Sequence, residues 1–309
     1  MKKNCLLCFL LFFSCHSAFA GESLDSLLNV LDKTIKEADT YVQIKENKLH
    51  ELKKEARKTP PFSVERYNLN NDIYLEYKAY SSDSALHYLN ENMLLARQLN
   101  DKERELKIQL ELSYLLSSIG MYMEAADILN SIDRQTLPSS LLGHYYTCYE
   151  HVYFEAGAAQ PRYKMFASRY VKLSHAYRDS MQITLDPSSA TYLWLRETQL
   201  REAGKYDEAL EFSDRRLAES SFGTPQYALV AYQRFRLFES MGKKDEHLYY
   251  LVLSAISDVR SAIKEQSSLM VLAQELNSKG DLKRAYDYIN FSWEISQFYK
   301  TRLRSWMNI

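Results

Sequence analysis

Residues 144–151 hold the most chemically competent side chains in the sequence. His144, Cys148 and His151 are spaced by four and three residues. On a helix that spacing sets them along one side, as two imidazoles and a thiolate must be to grip zinc or nickel. Leu141, Tyr145, Val152 and Ala156 trace the apolar stripe of the same helix, and Cys148 belongs to that stripe. The pattern therefore favours a buried thiol with a histidine at either edge, and no metal or cofactor is assigned to it. His50-Glu51 opens like a zinc-protease motif but lacks the second histidine four residues on. There is no glycine-rich phosphate loop, no G-x-S-x-G elbow and no pair of Cys-x-x-Cys motifs, so no catalytic residue is named and a non-enzymatic protein is expected.

Tyrosine offers a different chemistry. The 24 tyrosines supply wide, rigid contact area with a hydroxyl at low entropic cost, which suits peptide or glycan recognition. Tyr145, Tyr146 and Tyr149, with Tyr249 and Tyr250, are the candidates for such a surface. The alternative is that they plug the grooves between packed helices. The ligand-binding residues stay unassigned at this level.

What must position these side chains is a repeat. Residues 109–120 run as a helix to Gly120, followed by Met121-Tyr-Met-Glu-Ala-Ala126; residues 193–204 run to Gly204, followed by Lys205-Tyr-Asp-Glu-Ala-Leu210. In both, tyrosine falls two residues after the glycine and alanine three further on, the turn signature of a tetratricopeptide (TPR) hairpin. Glycine takes the left-handed conformation that ends a helix, tyrosine fills the groove between the helices, and alanine lets their backbones approach. Gly242 and Gly280 continue the series at intervals of 38 residues, Gly157 lies 37 after Gly120, and Tyr80-Ser81-Ser82 lies 40 before it. The longer interval from 157 to 204 predicts an extended second helix through Leu173 to about Leu185.

Six landmarks predict about six hairpins over 62–306 in an all-α, TPR-like solenoid. Ser63, Ser82 and Asp101 read as helix caps, and prolines 60, 61, 138, 161, 187 and 225 fall between the proposed helices. Residues 62–309 form the repeat domain. Residues 21–61 read as an N-terminal helical pair whose second, highly charged helix caps one end of the array.

Composition agrees with this. Eight glycines and six prolines in 309 residues leave little chain for turns, and a net charge of -1 with no dominant charged block makes nucleic acid and anionic membrane poor first guesses for a partner. Lys2, Lys3, an apolar run from Cys5 to Phe13 and Ala18-Phe19-Ala20 form a cleavable export signal over residues 1–20, so a periplasmic protein is expected. A lipoprotein processed at Cys15 is the competing form. Once the signal is removed Cys148 is the lone thiol, and stability rests on helix packing.

The segments Asp25–Ile35, Tyr67–Ile73, Tyr77–Tyr80, Asp83–Tyr88, Ser131–Arg134, Ser254–Lys264 and Gly280–Tyr288 resemble, in their order, the domain-of-unknown-function family numbered 6377 of Bacteroides-type gut bacteria. The resemblance implies an exported TPR region followed in that family by a membrane-spanning helix, a coiled coil and a cytoplasmic output domain, in proteins described as transcriptional regulators. This sequence stops at Ile309 before any second apolar span, so the expectation is a sensory half without its output domain. The expected function is a scaffold that binds a protein, peptide or envelope ligand; a glycan-capture lipoprotein is the alternative.

Overall fold

A computed structural model describes residues 24–160, 162–264 and 267–299. The described residues form fourteen α-helices, a short 3-10 turn at Arg134–Thr136 and no strand. Twelve of the helices pair as successive hairpins: α3 (Val64–Tyr77) with α4 (Ser82–Gln98), α5 (Lys102–Ser118) with α6 (Tyr122–Ser131), and α7 (Ser139–Ala158) with α8 (Lys164–Thr184). The series continues with α9 (Ala190–Glu202) and α10 (Tyr206–Ala218), α11 (Pro225–Ser240) and α12 (Lys244–Arg260), and α13 (Ser268–Lys279) and α14 (Leu282–Tyr299). Each hairpin packs on the next in chain order. The predicted six-hairpin all-helical solenoid is the observed architecture, and its long second helix is α8, 21 residues.

The turns form for the reasons the spacing suggested, with three exceptions. Gly120, Gly204, Gly242 and Gly280 all have φ between +70° and +87°, the left-handed region that ends a helix without a Cβ clash. Ala125 and Ala209 are fully buried at the close approach of each pair. Gly157 is different: it lies in the last turn of α7 without the left-handed conformation of the others, and a Cβ there would meet Tyr170 Cβ of α8 at 3.4 Å, an ordinary contact. Ser63 and Asp101 cap α3 and α5 by accepting from Arg66 N and Arg104 N, but Ser82 is the first residue of α4 and Ser81 holds the cap position. Pro225 likewise sits at the start of α11 rather than before it, where its missing N–H costs nothing.

The N-terminal helices, α1 (Leu24–Lys36) and α2 (Ala38–Ala56), do not fold back on one another as an end cap. One residue, Glu37, separates them, too little chain for a hairpin turn. Instead α2 lies along α3 and α1 crosses to α12. Leu27, Leu28 and Leu31 enter the core formed by α11 to α14, while Leu49 enters the core of the first hairpin. Polar contacts make the same bridge: Tyr288 Oη donates to Asp32 at 2.7 Å, Arg284 Nε donates to it at 3.0 Å, and Lys264 N donates to Ala79 O at 2.7 Å. The first hairpin thus meets the turn between α12 and α13, and the array closes on itself with α1 and α2 as a strap across the seam. The charged residues of α2 serve that role: Lys45 and Lys48 both reach Glu76 of α3, at 2.7 and 2.6 Å.

The expected signal segment, its cysteines Cys5, Cys8 and Cys15, Pro161 and the terminal Ser305–Ile309 lie outside the described residues. Among those described, no helix is long and apolar enough to cross a membrane.

Candidate functional site

The concave side of the array is built from the first helix of each hairpin. Over α5, α7, α9 and α11, with Lys78 entering just after α3 and Arg216 from α10, these helices frame a hollow of about 450 Å³, within the range of small-molecule sites. Its walls carry Tyr114, Phe154, Trp194 and Leu229 as apolar faces and His144, Thr147, Glu155 and Gln233 as polar groups. A larger hollow of about 650 Å³ lies between α2 and α3, but only those two helices and the turn joining them line it, and it presents no aromatic face.

The charged groups of the groove are largely committed to each other. Glu111 of α5 accepts from Tyr74 Oη at 2.6 Å and Lys78 Nζ at 3.0 Å, and His144 Nε2 stands 3.6 Å from its other oxygen. Burial opposes ionisation of this carboxyl, but Lys78, His144 and the Tyr74 hydroxyl together hold it down at about 2. The same burial lowers His144, against the pull of Glu111, so the imidazole is neutral near pH 7. Glu150, fully inside, accepts from Ser174 Oγ and from Arg178 Nε at 2.8 Å, and Arg178 continues to Glu202 of α9. Arg216 is paired with buried Glu197 at 2.5 Å; burial outweighs that arginine and raises the Glu197 carboxyl. The Glu111 and Glu202 contacts tie neighbouring hairpins, while Glu150–Arg178 and Glu197–Arg216 each join the two helices of one hairpin.

What remains open to a ligand is mostly aromatic and neutral. Trp194 lines the hollow from α9. Gln233 reaches the same hollow from α11, its Oε1 buried and accepting no hydrogen bond.

The three residues first considered as metal ligands separate here. His144 and His151 face the groove, His151 stacked on Tyr114 with ring centres 3.9 Å apart and its Nε2 3.0 Å from Ser118 Oγ. Cys148 points into the core, where its thiol donates to Leu110 O at 3.4 Å and burial pushes its pKa well up. The tyrosine candidates also go elsewhere. Tyr145, Tyr146 and Tyr149 are buried between α7 and α8, with Tyr149 stacked on Tyr177 at 4.6 Å. Tyr249 and Tyr250 belong to α12, a second helix, and pack against the core. All five are packing residues. The groove's aromatic residues, Tyr114, Phe154 and Trp194, carry no clear signal in the sequence, because which face of a first helix turns inward depends on the curvature of the whole array. The signal that could have found Trp194 is its place beside fully buried Leu193 and Leu195, on the same helix but pointing to a different side.

The fold and groove define a TPR-type helical-repeat scaffold, a class typically used for binding. A family model described as the SusR N-terminal TPR domain matches residues 35–308, and the chain belongs to that family. No curated protein matches it.

Proposed function

We propose that this chain is the ligand-sensing region of a SusR-type regulator, exported to the periplasm by residues 1–20, and that its inner groove receives a short neutral oligosaccharide. The observation that carries the ligand class is the meeting, in one hollow, of the Trp194 ring with the neutral polar side chains His144, Thr147 and Gln233. A sugar ring offers C–H faces to an aromatic surface and hydroxyls to neutral polar groups, and the paired charges around the groove leave little net field for an ionic ligand. The narrower resemblance to family 6377 supports a membrane-bound regulator whose output lies in a further domain.

Isothermal titration with linear neutral oligosaccharides tests the reading. Binding is expected, weakened by at least about tenfold in Trp194→Ala. A peptide or protein ligand is the second reading, favoured by the extension of the groove across successive first helices and by the general use of TPR domains in protein recognition. Absence of heat with every oligosaccharide, together with specific retention of a peptide, would establish that second reading instead. Mass spectrometry of the exported protein separates the soluble from the lipid-anchored form: Gly21 as the first residue excludes lipid on Cys15.

A further inference from the structure

The tip of the third hairpin carries a surface that the groove does not use. Five consecutive residues, Arg162 to Phe166, are exposed. Among them Tyr163 is 65%, Met165 75% and Phe166 45% open to solvent, with Val171 of the same helix at 45%. No acidic residue occurs between Glu155 and Asp179, whereas Arg162, Lys164, Arg169 and Lys172 fall in that stretch. None of these four basic side chains has an acidic partner among the described residues. Met165, Arg169 and Lys172 share one outer face of α8 at i, i+4, i+7 spacing, and α8 packs on α7 and only lightly on α9, so that face is left uncovered.

We propose that this tip docks on the surface of an anionic phospholipid bilayer. Three features favour lipid over an acidic protein. The apolar groups are large, and they sit on the outer face of a second helix rather than in a groove shaped to a partner. Long basic side chains alternate with them, so stems can lie among acyl chains while their charges reach phosphates. Tyr163 stands at the helix start, where an amphipathic ring suits the headgroup layer. Docking here would fix the third hairpin, and with it α7 of the groove, against a membrane.

Co-sedimentation of the purified full chain with vesicles of phosphatidylcholine alone, and of phosphatidylcholine mixed with phosphatidylglycerol, tests this. Binding to the mixed vesicles, weak binding to the neutral ones and release by high salt are expected. Neutralising Lys164, Arg169 and Lys172 to Gln is expected to weaken it about a hundredfold, from roughly fivefold per charge. Met165→Ser with Phe166→Ser tests the apolar component independently and should also release the protein. All these positions are exposed, and thermal melting of the variants confirms that they fold. Equal sedimentation with both vesicle types, indifference to the variants, or binding to a soluble polyanion such as polyglutamate without binding to vesicles would each overturn the proposal.

Discussion

Glu111 shows how single residues set the groove. Its folded pKa, about 2, lies below the ordinary 4.5, so the stability it contributes is fully present above about pH 4.5 and is lost as pH falls toward 2. Glu111→Gln is expected to destabilise the protein by about 2 kcal/mol at neutral pH, since Lys78 and Tyr74 lose a charged acceptor. The difference should shrink as the wild-type carboxylate is protonated, which urea denaturation across that pH range would show. His144 is raised only by Glu111, so its imidazole pKa should fall further in the variant, read by NMR titration. The spacing of His144, Cys148 and His151 was legible in the sequence, but their fates were not. The partners that divide them, Glu111, Tyr114 and Leu110, lie on another helix, and one turn of α7 decides whether a side chain meets the core or the groove.

Among the elements, the glycines make opposite predictions from one residue type. Gly204 has φ +74°, and Gly204→Ala is expected to cost about 1–2 kcal/mol from left-handed strain. Gly157 is helical with room for a methyl at ordinary contact distance, so Gly157→Ala should be neutral or stabilise by up to about 1 kcal/mol. Thermal melts of the two variants would shift in opposite directions or, at the least, by clearly unequal amounts. The regular glycine spacing revealed the hairpins because each turn is a local event. Gly157 matched the spacing but not the mechanism, since a glycine in left-handed backbone and one still in the last helical turn look alike in one dimension. The exposed tip of α8 was hidden for a related reason: a net charge near zero over the whole chain conceals a local stretch with no acid.

At the scale of the molecule, the strap is the feature that no local pattern could disclose. The apolar stripe of α1 was visible, but its partners lie in the core of α11 to α14, and the bonds beside it, Arg284 to Asn29 and Tyr288 to Asp32, span more than 250 residues of sequence. Ala79, bonded across the seam to Lys264, directly follows Lys78 of the groove wall in the chain, so the curvature of the groove and the integrity of the seam are mechanically linked. Leu31→Ala, at a fully buried position, is expected to cost about 2–5 kcal/mol and to speed amide exchange in α12 to α14 more than in α5 to α8. The account as a whole rests on ligand entering the inner face of this closed array. Hydrogen–deuterium exchange with and without a saturating linear oligosaccharide tests that directly. Protection concentrated in α5, α7, α9 and α11 is the predicted result; protection confined to the outer helices α4, α8 and α10, or none at all, would contradict it.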